Sequence, residues 1–585
     1  MDKTSRKYER RAEELKSRRY FGHQSIAPFL AAKGKNGPDE VYRACPDKME
    51  NGMPFGRGDC LRGRNNYLWL ERCVEIPKAP GNCETVLLFH FGKKAGRLQG
   101  RFEAMLYVDG KPCQGVDENH TEILLQEYEG KRVRLTFLAW TGMEGDGEED
   151  FTLCLQQADL AFLERNTDAL YYYMKTAAQA SDLLAPTDSD KQAIISLTEE
   201  ILSAIDWDED ALYESAAGAV ALMEKGLGEM EKEHAVTVHA IGHTHIDVAW
   251  LWRLKNTREK AQRSFGTVLR LMERYPEYLF LQSQPQLYQY VKEDCPQLYE
   301  KIKKKAAEGK WEPEGGMWVE ADCNIPSGES LVRQFLYGTA FFRKEFGKTC
   351  EYLWLPDVFG YSWALPQILK LCGMKTFMTT KISWNESNQI PEDLFFWRGI
   401  DGSEILTYFI ETPEEHRPAE DWFSTYNGLL TPKTVLGSWS KFKNKDLSRD
   451  VLISFGYGDG GGGVNREMLE MRKMIHRMPG LPNVRTDTAG SFFRKIHENV
   501  EKAKDKVPVW DGELYLEFHR GTYTTQGYNK KMNRRMELLL SQAEWLSAWN
   551  RTAGGSGKEE RLRKCWEQVL LYQFHDIIPG SLNLR

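Results

Sequence analysis

The stretch Val236-Thr237-Val238-His239-Ala240-Ile241-Gly242-His243-Thr244-His245-Ile246-Asp247 decides the reading of the chain. A short β-branched run is followed at once by imidazoles and a carboxylate. Outward from it, short apolar runs alternate with longer helical ones. The pattern predicts strands at 235–241, 278–282, 316–319, 351–355, 376–380, 405–410 and 451–455. Helices are predicted at 257–275, 286–307, 329–346 and 365–372. This alternation implies an α/β domain over 235–505, built as a mainly parallel sheet or partial barrel. Function in such folds sits at the carboxyl ends of strands. A side-chain period of two puts His243, His245 and Asp247 on one side if the extension continues past the strand. Imidazole with carboxylate suits Zn²⁺ and its neighbours. The alternative is a hydrogen-bonded cluster under the sheet, but apolar side chains would pack a buried strand end at lower cost than three polar groups.

On either side the pattern changes. Over 1–164, after a charged leading helix, short strand-like runs at 66–71, 85–90, 104–108 and 133–137 are separated by turn signals such as Asp109-Gly110 and Glu129-Gly130. They predict an amino-terminal β-sandwich. The Ala/Leu/Glu-rich segment 165–234 reads as a helical connector, and 506–585 as a helical bundle. A multidomain chain agrees with 585 residues, about four domain-sized units. The net charge of −7 argues against a nucleic-acid partner, which needs a basic face. No run approaches the ~18 apolar residues of a membrane span. The charged start has no apolar core of a signal peptide, so a cytoplasmic location is expected. The 11 cysteines, without a CxxC pair, read as free or buried thiols.

Three further segments carry chemistry. In Trp354-Leu355-Pro356-Asp357-Val358-Phe359-Gly360-Tyr361 a strand runs into Pro, Asp and a Gly turn. Asp357 is then a nucleophile or ligand at a strand end, or the N-cap of the next helix. Phe455-Gly456-Tyr457-Gly458-Asp459-Gly460-Gly461-Gly462-Gly463 satisfies GxGxxG. A dinucleotide reading is opposed by Asp459, whose charge would repel a pyrophosphate. The glycines instead allow backbone and substrate to approach closely around the Asp459 carboxylate, or form a flexible surface turn. Phe574-His575-Asp576-Ile577-Ile578-Pro579-Gly580-Ser581 closes the helical region, after Gly512-Glu513-Leu514-Tyr515-Leu516-Glu517-Phe518-His519-Arg520-Gly521-Thr522-Tyr523-Thr524.

Together these ordered segments, from His243 to Ser581, resemble glycoside hydrolase family 38, the α-mannosidases. The resemblance implies a (β/α)7-like partial barrel followed by a helical bundle, with one Zn²⁺ at the junction (Co²⁺ and Mn²⁺ are chemically acceptable). By motif position the ligands are His245, Asp247, Asp357 and His575. Asp357 doubles as nucleophile and Asp459 falls in the acid/base segment. Trp250 and Phe359 wall the sugar, with Asp576 near its hydroxyls. The implied activity is retaining hydrolysis of α-linked mannose from oligosaccharides, which needs two carboxylates ~5–5.5 Å apart. Two other readings are a deacetylase-like metal hydrolase and an inactive mannose-binding remnant. Family members continue well past the His575-Asp576 motif. The bundle is therefore expected to be incomplete, to be loose or pair with another copy, and to leave His575 mobile, metal weakly held and turnover low.

Overall fold

In the computed structural model the described residues are 2–35, 37, 41–42, 45–47, 49, 52–93, 102–143, 152–208, 211–418 and 421–581. Two antiparallel sheets come first. One runs Tyr20–Ser25, Thr152–Glu164, Cys83–Lys93, Glu122–Leu124, with Cys60–Arg62 also on Thr152–Glu164. The other runs Met53–Phe55, Phe29–Lys33, Tyr67–Glu75, Arg132–Trp140, Glu103–Val108, Lys111–Asp117. Alternate residues of both sheets meet in one core, where the Phe89 and Phe137 rings stack at 4.1 Å. Asp109 and Gly110 both have positive φ and turn Glu103–Val108 tightly into Lys111–Asp117. That is the backbone that matches strand twist in a two-residue hairpin. Cys60 and Cys154 face each other across paired strands and form a disulfide, so two of the expected free thiols are joined. Their separation of 94 residues gives no sequence signal.

Helices follow: Arg165–Leu183, Ser189–Ala204 and Leu212–Glu229. The leading helix Lys3–Arg18 packs on this layer, burying Tyr8, Ala12 and Leu15 in the large core shared with the α/β region. Asp2 caps it by accepting from the Ser5 amide at 2.8 Å.

The α/β region contains two five-stranded sheets. The first is wholly parallel: Trp311–Pro313, Phe280–Gln282, Thr237–His243, Asp450–Phe455, with Asn483–Thr486 also on Thr237–His243. The second, Tyr352–Trp354, Thr376–Thr379, Glu404–Phe409, Leu394–Arg398, Val509–Asp511, is parallel except where Leu394–Arg398 meets Glu404–Phe409. The molecule is thus a multidomain α/β protein with mixed sheets. The strand expected at 316–319 lies instead at Trp311–Pro313. The helix expected at 286–307 is broken into Pro285–Asp294 and Pro296–Ala307. Pro296 pushes Cys295 out of helical geometry (φ −144°, ψ 68°).

The chain closes with two long helices, Gly527–Thr552 and Glu559–Tyr572. Among the described residues no helix is long and apolar enough to cross a membrane.

Candidate metal centre and active site

The strand Thr237–His243 ends at His243, and the chain then turns. The period of two therefore does not continue. His243 is buried against the Trp354 ring at 5.3 Å, and burial holds its imidazole well below the usual range. His245 and Asp247, past the turn, go elsewhere. They meet Asp357 and His575, and one donor atom of each of the four lies within 4.8 Å of the others.

Each member arrives from a different part of the fold. Asp357 follows the strand Tyr352–Trp354. It caps nothing, since the next helix, Leu365–Leu371, begins after Ala364. His575 follows the helix Glu559–Tyr572, and its segment is laced to the loop after Trp311–Pro313. Phe574 bridges Ala321, the Asp322 amide donates to the Gln573 carbonyl at 2.9 Å, and the His575 amide donates to the Glu320 carbonyl at 3.3 Å. His575, expected to be mobile, is fully buried here.

Both imidazoles are oriented from outside. His575 Nδ1 donates to the Glu320 carbonyl at 2.7 Å, leaving Nε2 without a hydrogen bond and 3.4 Å from Asp357 Oδ2. His245 Nδ1 faces Glu320 Oε2 at 2.9 Å, while Nε2 lies 2.8 Å from Asp247 Oδ1. An outer nitrogen on an acceptor and an inner nitrogen aimed at carboxylates is the arrangement that prepares imidazoles for a metal. Two imidazoles and two carboxylates without a thiolate suit Zn²⁺, Co²⁺ or Mn²⁺, so this group could hold a divalent cation. Without one, the same crowding shifts protons. Burial opposes the charge of His575, but the Asp247 and Asp357 carboxylates, 3.6 and 3.4 Å from its Nε2, outweigh it and lift its pKa to about 10. Burial would raise Asp357. The Lys381 ammonium outweighs it, with help from both imidazoles, and holds the carboxyl well below the usual range.

Lys381 was not evident from sequence. It follows the strand Thr376–Thr379, donates to Asp357 Oδ1 at 2.5 Å, and lies 3.3 Å over the Trp384 ring. A lone lysine at a strand end carries no signal until its partner is known. Glu320 was missed for the same reason.

Asp459 stands apart from the four. Its Oδ1 accepts from the Tyr426 hydroxyl at 2.9 Å and its Oδ2 from Asn427 Nδ2 at 2.8 Å. Tyr426 also sets its ring edge-on to His245 at 5.2 Å, tying Asp459 to the centre. Burial, then the charges of Asp247 and Asp357, push its pKa up to about 6. Asp576 is raised further, to about 7, by burial and the same two carboxylates against the pull of His575. The Ser581 hydroxyl donates to it. Phe359 is buried, its ring 5.9 Å from His575 and 4.6 Å from His519. Trp250 is half-buried and packs edge-on to Trp252 at 5.9 Å, beside the aromatic cluster of the six-stranded sheet.

The glycines around Asp459 serve close approach, but of protein. A Cβ on Gly458 would lie 2.1 Å from Asn427 Oδ1, and one on Gly460 2.7 Å from Lys260 Nζ.

Comparison with known proteins bears on the same segments. Residues 235–513 match the glycosyl hydrolases family 38 N-terminal domain, and 517–583 the alpha mannosidase middle domain. Alpha-mannosidase G of Dictyostelium discoideum is 36% identical over 496 residues, 82% of this chain and 44% of that one. Human alpha-mannosidase 2C1 is 36% identical over 82% of this chain and 46% of its own. The Saccharomyces cerevisiae alpha-mannosidase is 40% identical over 60% of this chain and 32% of its own. The chain spans less than half the length of these relatives. With two consecutive family models over nearly all of 235–583, and this identity across most of its length, the chain belongs to glycoside hydrolase family 38.

Proposed function

We propose that the chain carries the catalytic centre of a metal-dependent retaining α-mannosidase acting on terminal α-linked mannose of oligosaccharides. The observation that carries this reading is the buried His245, Asp247, Asp357, His575 group, with each imidazole oriented from outside and a separate carboxyl, Asp459, raised beside it. These four residues would hold the cation. When bound there, it supplies positive charge and open positions for sugar hydroxyls.

The chain's own groups divide the remaining work. Asp357, kept ionised by Lys381, attacks the anomeric carbon. Asp459, raised to about 6 by burial and negative neighbours, gives its proton to the leaving oxygen and later takes one from water. Phe359 and Trp250 wall the sugar, and Asp576 meets its hydroxyls. The strands of 235–505 are read as a (β/α)7-like partial barrel, the two antiparallel sheets as a sandwich, and the cytoplasm as the location. The domain limits stay at 1–164, 165–234, 235–505 and 506–585, and a homo-oligomer remains part of the proposal.

NMR of an α-mannoside during turnover, with the protein's metal content measured alongside, tests the reading. First release of α-mannose with a bound divalent cation is expected, because two inversions restore the anomer. First release of β-mannose would exclude retention, and a well-folded protein unable to take up a cation would exclude the ligand set.

A further inference from the structure

The loop bearing Asp459 is gripped from the amino-terminal sheets. Residues 457–463 form a tight hairpin in which the Tyr457 and Gly463 amides donate to each other's carbonyls at 3.0 and 2.9 Å. Asp459, Gly460, Gly462 and Gly463 have φ between 52° and 90°, in the left-handed region. A hairpin so rich in glycine has few side chains with which to anchor itself, and glycine leaves its backbone free to move unless something else holds it. Its place is therefore set by its neighbours.

One neighbour is the turn after the strand Lys111–Asp117, far away in sequence. Asn119 Nδ2 donates to the Gly461 carbonyl at 2.9 Å, across 342 residues. His120 Nε2 donates to the Val464 carbonyl at 3.0 Å, and its Nδ1 meets Asp117 Oδ1 at 2.8 Å. Both partners of His120 are acceptors, so both ring nitrogens donate. Asn465 Nδ2 returns a bond to the Asn119 carbonyl at 3.3 Å. The fit is also steric: a Cβ on Gly462 would lie 2.4 Å from Asp117 Oδ2 and 2.8 Å from the His120 ring. His120 is buried at this junction.

We propose that Asn119 and His120, the latter oriented by Asp117, are positioning residues for Asp459: the amino-terminal sheets hold the 457–464 loop and so fix where the acid/base carboxyl stands. The proposal rests on the acid/base reading of Asp459. Proton transfer to a leaving oxygen requires hydrogen-bond reach, so a loosened loop loses acid assistance before it loses sugar binding.

The test uses the full chain with Asn119→Ala, His120→Gln and Asp459→Asn. Each is assayed on methyl α-mannoside, whose leaving group needs a proton, and on 2,4-dinitrophenyl α-mannoside, whose leaving group does not. Hydrogen exchange across 457–464 is measured in parallel. Asn119→Ala and His120→Gln are expected to speed that exchange and to lower kcat on the methyl glycoside by at least about tenfold. The loss on the dinitrophenyl glycoside should stay within about twofold, with KM little changed. Equal losses on both substrates would show a general structural role and overturn the proposal, as would unchanged exchange. Full activity of Asp459→Asn on the methyl glycoside would instead remove the acid/base reading, and the exchange result would then still judge the grip by itself.

Discussion

The centre is assembled from two unlike regions. His245, Asp247 and Asp357 leave strands of the α/β sheets, in the large continuous core. His575 comes from the closing helical pair, whose packing is one-sided. On Glu559–Tyr572, Trp566 is fully buried, with the Arg333 guanidinium 4.0 Å over its ring and its Nε1 donating to Glu544 at 2.8 Å. On Gly527–Thr552, Trp545 and Trp549 are 79% and 72% exposed, and Leu546 is 63% exposed. The exposed apolar side chains of this pair thus lie mainly on the first helix. The contrast teaches that three of the candidate ligands are carried by the sheets, whereas the fourth is carried by a segment that joins the same core through Leu570, Leu571, Phe574 and Ile577 but follows a helix pair with one side open.

The strongest way to sharpen this contrast is Asp357→Asn on the sheet side. It removes the proposed nucleophile while keeping its shape, so turnover of an activated mannoside should fall on the order of 10⁴-fold, and the buried Lys381 ammonium left without its partner should lower stability as well. Activity within tenfold of the unaltered protein would put the nucleophile elsewhere. Next is Trp566→Ala on the helical side, expected to destabilise by about 3–5 kcal/mol through the cavity it leaves. Trp549→Ala should stay within about 0.5 kcal/mol. Denaturant unfolding, followed by protease cleavage near 552–558, compares them. Similar values would mean that the exposed face is covered in solution.

His575→Ala should weaken cation binding by about 100-fold or more while leaving the sheets intact. Calorimetric titration with Zn²⁺ reads this directly, and an unchanged affinity would remove His575 from the ligand set. The smallest effect concerns pH. Asp459 must be protonated to act as the acid, and its folded pKa is raised to about 6. Acid-dependent turnover should therefore fall about tenfold per pH unit above that value. The sign for stability follows the same shift. A raised folded pKa gives stability that is complete below the unfolded value of 3.8 and is lost as pH rises through 6. Asp459→Asn should flatten both dependences.

Much of the centre was legible because its parts are local signals. His245, Asp247 and Asp357 stand where strands end, and the Gly run around Asp459 is conspicuous. What was illegible depends on distance. Nothing near Lys381 announces that its ammonium will meet Asp357, and nothing near Asn119 announces a glycine loop 342 residues later. The fold was read in the same way. The βα alternation marked the parallel strands, but the antiparallel Leu394–Arg398 and the late Asn483–Thr486 and Val509–Asp511 were passed over, because a short strand is specified mainly by its sheet partners. Continuing the alternation through His243 failed because strand geometry ends there.

The lacing of His575 to Glu320 across 255 residues also has a meaning in time. A ribosome adds roughly 5–20 residues per second, and domains fold as they emerge. The sheets carrying Asp247, Glu320 and Asp357 take their last strand from Val509–Asp511, so they can be complete a few seconds before His575 is synthesised. In that interval their carboxylates share a pocket lacking one imidazole, an arrangement that favours protons, or a loosely held cation, over the full coordination set. Contacts of such long sequence separation close late and slowly. The centre therefore matures after the sheets that carry most of it, and activity should lag behind the appearance of folded sheets during synthesis.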